Sequence, residues 1–186
     1  HIKRTDGALG GYPLAPQDQL LLDGAGTNTV QNCIIERLGS VTGTGIRALT
    51  TTAGGGTKNI LNNKITGDAS GGLFSGHKSW NNAIYINGGA AVVNITGNTV
   101  MNCRSALNID DYTINVVTSG NTFNNNGTHI SLGGTVPTPG QFVMGANDFI
   151  NNASSTMVNC SNVNTNFRLD ITSSTLGGVS FAALTN

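Results

Sequence analysis

The chain has 186 residues, no formal net charge, only 10% charged residues and 26 glycines. Globular domains usually carry about 25% charged residues and about 7% glycine, so this surface is built from amides, hydroxyls and turns. A neutral chain without a basic stripe lacks the footprint of a nucleic-acid binder, no apolar run is long enough for a membrane-spanning helix, and four prolines exclude collagen.

In chain order, residues 1–19 lack the pattern that follows and are assigned as an N-terminal cap or linker, with residues 20–186 forming one repeat domain. HIKRTDGALGGYPLAPQDQ shows no signal-peptide pattern and reads as the start of a mature chain or an excised segment of a longer one. QLLLDGAG at 19–26 supplies the first apolar strand. Residues 27–37 form a divergent first unit, with Asn28 and Val30 at its marker positions, and residues 43–49 supply its second strand.

Self-similarity then becomes explicit. Anchored on the Asn of GNTV at 97–100, the equivalent positions are Asn63, Asn98, Asn121, Asn147 and Ser174, spaced 35, 23, 26 and 27. Two residues further on the series is Ile65, Val100, Phe123, Phe149, Leu176. Three residues before, it is Ile60, Ile95, Thr118, Met144, Ile171. A second strand gives Ile46, Ile84, Leu107, Ile130, Met157 and Val179. The unit is about 22–23 residues with insertions, each holding short strands of period-2 alternation between Gly, Asn and Ser turns. One unit cannot bury its own apolar face, whereas stacked units make a continuous core.

Stacked strands lie about 4.8 Å apart, so equivalent asparagines can hydrogen-bond in a ladder. Asparagine also tolerates the left-handed backbone of a tight corner, which leaves ordinary turn asparagines as the alternative. Cys33 and Cys103 each follow a marker Asn by five residues. This spacing puts them in one column, about 10 Å apart by the stacking distance and too far for a disulfide. They read as buried thiols packing like small apolar groups.

The longest spacing carries an insertion at residues 66–82, TGDASGGLFSGHKSWNN. It holds the single Trp80, with His77, Lys78 and Phe74, and loops on rigid scaffolds are where binding residues gather. Folding back to cover the side of the solenoid is the competing role for Phe74 and Trp80. In the regular strands Ile84, Ile86, Leu107 and Ile109 alternate inward, so Arg47, Tyr85, Asn108 and Ser131 form an outer column beside Asn87 and Asp110. Trp80, Lys78 and Tyr85 then make an aromatic and cationic wall over a polar floor of Asn108, Asp110 and Arg47. Asp110 and Asp111 are the only adjacent acidic pair, with Arg104 and Tyr112 near in sequence. Two carboxylates serve acid–base chemistry on a glycosidic bond, or Ca²⁺ binding with backbone carbonyls. A solvated strand end is the plainer reading.

The repeat at roughly 25–184 resembles the parallel β-helix repeat of pectate-lyase-like proteins, phage tailspikes and bacterial surface proteins. The resemblance implies an all-β fold: a single right-handed parallel β-helix of about six or seven coils, roughly 30 Å long at the strand spacing. It also implies an inward asparagine ladder, an extracellular or cell-surface location and a polysaccharide or cell-surface glycan as partner. The polygalacturonase-like branch carries NTD, DD, GHG and RIK in that order. Here NID at 108–110 overlaps DD at 110–111, SGH at 75–77 precedes them, IKR stands at 2–4, and the third aspartate is missing. The expected function is therefore a non-catalytic extracellular module, structural or glycan-binding. The alternative is a polysaccharide lyase or glycoside hydrolase using Asp110, Asp111 and Arg104, with Ca²⁺ if it is a lyase and no other metal or cofactor. The last apolar segment is followed by no polar cap, so continuation or self-association through that end is expected.

Overall fold

The computed structural model describes residues 2–5, 17–22, 25–38, 43–49, 56–67, 81–87, 92–110, 115–132, 141–144, 148–150, 156–160, 168–170 and 175–176. Among them the fold is all-β. The strands in chain order are β1 (Ile2–Thr5), β2 (Gln17–Leu22), β3 (Asn28–Gln31), β4 (Ile34–Leu38), β5 (Gly43–Leu49), β6 (Lys58–Leu61), β7 (Lys64–Thr66), β8 (Asn82–Asn87), β9 (Val92–Thr96) and β10 (Thr99–Met101). They continue with β11 (Ser105–Ile109), β12 (Asn115–Ser119), β13 (Thr122–Asn124), β14 (Thr128–Leu132), β15 (Gln141–Met144), β16 (Asp148–Ile150), β17 (Thr156–Cys160), β18 (Arg168–Asp170) and β19 (Thr175–Leu176).

Each strand pairs with the strands three before and three after it. Sheet A runs β1-β4-β7-β10-β13-β16-β19, sheet B β2-β5-β8-β11-β14-β17, and sheet C β3-β6-β9-β12-β15-β18. The pairings are parallel, as between β7, β10 and β13. The chain therefore visits three sheets in turn, an arrangement consistent with a β-solenoid. The sheets begin before the sequence repeat does, because β1 pairs with β4 and β2 with β5.

The register follows the apolar columns. Ile65, Val100, Phe123, Phe149 and Leu176 are successive partners in sheet A, and the first three are fully buried. Ile60, Ile95, Thr118 and Met144 stack in sheet C. Alternation sets these faces: in β9, Val93 and Ile95 are buried while Val92 and Thr96 are exposed. In sheet B, Ile46, Ile84, Leu107 and Ile130 are partners, but Ile130 pairs with Val158, not Met157. The expected position is off by one because two successive residues face inward at this point of the strand. Ala83 and Ile84, Ala106 and Leu107, and His129 and Ile130 are all buried pairs, so strict alternation cannot choose between Met157 and Val158.

Two corners share one device, a left-handed residue followed by an inward-facing one. Between sheets C and A the left-handed residues are Asn32, Asn62, Gly97 and Gly120, with φ from 55° to 68°. The inward residues after them are Cys33, Asn63, Asn98 and Asn121. Asn63 donates from Nδ2 to Asn98 Oδ1 at 3.0 Å, and Asn98 does the same to Asn121 at 2.9 Å. Each Oδ1 also accepts the preceding coil's backbone N–H, from Cys33, Asn63 and Asn98 respectively, at 2.9 Å. The expected ladder is present, and these three asparagines are buried.

Between sheets A and B the same device uses Asn102 and Asn125, at φ 58° and 48°, before Cys103 and Asn126. Asn126 Oδ1 accepts from the Cys103 N–H at 3.0 Å, and its Nδ2 donates to the Val100 carbonyl at 3.0 Å. Cysteine thus stands where asparagine otherwise would. Cys33 and Cys103 donate from Sγ to the carbonyls two residues back, Gln31 and Met101, as Asn98 Nδ2 does to Thr96. The single cysteine column inferred from spacing is corrected: the two lie at different corners, both as free thiols. The first unit is corrected as well. Asn28 pairs with Lys58 and Val30 with Ile60, so Cys33, not Asn28, occupies the anchor position. The error arose because a thiol at the anchor hides the asparagine marker.

Candidate functional site

The outer face of sheet B carries two polar rows, Asn82, Ser105 and Thr128 in one and Tyr85, Asn108 and Ser131 in the other. The backbone register continues the first to Thr44 and Thr156 and the second to Arg47 and Asn159. The buried pairs Ala83–Ile84 and Ala106–Leu107 lie between the rows, which border a trough. An open groove of about 430 Å³ occupies it, lined by Asn81, Asn82, Arg104, Ser105, Asn108, Thr128 and Ser131. Arg104 is exposed and donates to Asn81 Oδ1 at 3.4 Å. Every other lining side chain among the described residues is an amide or a hydroxyl. Ser105 Oγ is buried and makes no hydrogen bond among the described residues.

The candidate residues read from sequence separate into three groups. Arg104 and Asn108 line this groove together. Tyr85 lies in the row of Asn108, but its hydroxyl donates to Asp110 Oδ2 at 2.5 Å, and neither Tyr85 nor Asp110 lines the groove. Arg104 and Asp110 flank β11 at opposite ends, up to about 20 Å apart along an extended chain. Arg47 partners Tyr85 in the backbone register of sheet B. Trp80, Lys78, His77 and Asp111 lie outside the described residues, and so does the aromatic wall built on residues 66–82. The element bounds do locate the insertion, which falls between β7, ending at Thr66, and β8, beginning at Asn82.

Several groove residues escaped the sequence reading. Asn82, Ser105 and Thr128 open their strands and Asn81 directly precedes one, and only the coil-to-coil alignment shows that they share a face. His129 was also missed. It is buried beside Asn126, with Nδ1 3.3 Å from Asn126 Nδ2, and its ring centroid lies 6.1 Å from that of Phe123. Desolvation pushes its imidazole from 6.5 down to about 4. Its backbone position is equivalent to Ala106, so alignment marks it as a core position holding an ionisable group.

Among the described residues no cluster of three or more His, Cys, Asp or Glu could hold a metal, and no helix is long and apolar enough to cross a membrane. The chain matches no family model, no curated protein and no solved structure.

Proposed function

We propose that the chain is a right-handed parallel β-helix of about six or seven coils, of the pectate-lyase-like kind, working at or outside the cell surface as a non-catalytic glycan-binding module. The observation that carries this reading is the trough on sheet B. Its lining of amides, hydroxyls and one guanidinium supplies both donors and acceptors, as sugar hydroxyls require. Arg104 adds a planar cationic fork suited to a carboxylate or sulfate substituent. Among the described residues the lining includes no carboxylate, whereas glycoside hydrolysis normally uses two, and Asp110 is engaged by Tyr85. That favours binding over cleavage.

The test is calorimetric titration with a panel of neutral and acidic oligosaccharides, with and without Ca²⁺, alongside assays for new reducing ends and unsaturated products. Binding without products is expected. Arg104→Ala and Asn108→Ala should each weaken it about ten-fold, the equivalent of one charged or well-placed hydrogen bond. A Trp80→Ala variant separately tests a contribution from residues 66–82. Product formation would establish the lyase or hydrolase alternative, and wild-type affinity in both groove variants would move the site elsewhere.

A further inference from the structure

Lys58 occupies a position where the equivalent residue in the next coil is Val93, itself followed by Val116. A lysine in this apolar column is fully buried. Its Nζ donates to the Gly26 carbonyl at 3.2 Å and to Asn28 Oδ1. Asn28 is the residue directly paired with Lys58 in the adjacent coil, so an amine and a carboxamide are held together by the register of two strands. β3, which carries Asn28, is the outermost strand of sheet C.

We propose that Lys58 and Asn28 are joined by an intramolecular isopeptide bond. Holding two reacting groups in contact replaces a bimolecular encounter with a unimolecular step. An ammonium taken out of water carries a desolvation cost, and a neutral secondary amide does not. In the reaction the lone pair of Nζ, as the free amine, attacks Cγ of Asn28, the Nζ–Cγ bond forms and the Cγ–Nδ2 bond breaks. Nζ begins with two protons and ends as an amide with one. The proton it gives up leaves with Nδ2 as ammonia, so the step is balanced without oxidant, reductant or co-substrate. The product cross-links β3 to β6, fastening the strand that ends sheet C among the described residues.

Intact-mass spectrometry of the purified full-length protein under denaturing conditions tests this. The expected wild-type mass is the sequence mass less one ammonia, and proteolysis should release a branched species in which the peptides bearing Asn28 and Lys58 are linked. Lys58→Met and Asn28→Ala should each restore their own full sequence mass. A wild-type protein at its full sequence mass overturns the proposal. So does an ammonia loss confined to one peptide, as from a succinimide at Asn126–Gly127.

Discussion

Asn98 Oδ1 accepts two hydrogen bonds from Asn63, one from the backbone N–H at 2.9 Å and one from Nδ2 at 3.0 Å. Its own Nδ2 donates to the Ile60 carbonyl at 2.8 Å and to Asn121 Oδ1 at 2.9 Å. Removing this side chain leaves buried groups on both neighbouring coils without partners, each costing on the order of 1–3 kcal/mol. Asn98→Ala should lower stability by at least that amount in urea unfolding. Asn98→Asp keeps the acceptor but loses the donors and faces the Asn121 oxygen with a carboxylate, so it should be at least as damaging at neutral pH. An aspartate variant as stable as wild type would show that the donor half of the rung contributes little.

The left-handed corner residues separate strain from collision. Gly97 has φ 68°, and a Cβ there would lie 2.2 Å from Asn62 Oδ1. Gly120 has φ 62° with open space around the same position. Gly120→Ala should cost about 1–2 kcal/mol for the left-handed backbone alone. Gly97→Ala should cost slightly more, because the exposed Asn62 side chain must also swing aside. Equal shifts in the two thermal melts would argue against the contact at Asn62.

Phe123 is fully buried and pairs in the backbone register of sheet A with Val100 and Phe149. Truncation to Ala should cost about 3–5 kcal/mol. Phe123→Leu, which keeps most of the volume, should recover a large part of that loss in the same denaturation experiment. A melt unchanged by the alanine substitution would contradict the register.

His129 makes stability depend on pH. Its folded value of about 4 lies below the ordinary 6.5. Above pH 6.5 both folded and unfolded chains hold a neutral imidazole and nothing is lost. Below it the unfolded chain takes up a proton that the folded chain refuses, so stability falls as pH drops, by up to about 1.4 kcal/mol per pH unit. The loss levels off near pH 4. His129→Ala should be less stable than wild type at pH 7.5 because of the cavity, yet show a shallower decline between pH 6.5 and 4. Parallel declines for the two proteins would remove His129 as a cause.

The sheet A column was fully legible because Ile65, Val100 and Phe123 follow a fixed offset from the asparagine anchor. The Asn63–Asn98–Asn121 ladder was legible for the same reason. Two substitutions concealed the rest. Cys33 takes an asparagine position, so the first unit was aligned on Asn28, and Lys58 takes a valine position, so its burial had no hydrophobic signal. The second corner was missed because Cys103 and Asn126 are different residue types doing one job, accepting a place after a left-handed asparagine. The groove was only partly visible. Its outer rows follow from alternation, but between them two successive residues face inside, which no period-2 pattern contains.

The rung from Asn63 to Asn98 spans 35 residues and the rung from Asn98 to Asn121 spans 23, yet their Nδ2–Oδ1 distances are 3.0 and 2.9 Å. The longer path leaves sheet A after Thr66 and rejoins sheet B at Asn82, where the next coil crosses from Met101 to Ser105. Chain length at this corner and coil alignment are therefore independent variables. Segments of differing length and chemistry can be exchanged at this one seam while the asparagine rungs stay in place. The scaffold can thus vary the segment that ends at Asn81 and Asn82, two residues of the trough lining, without a new core having to be built.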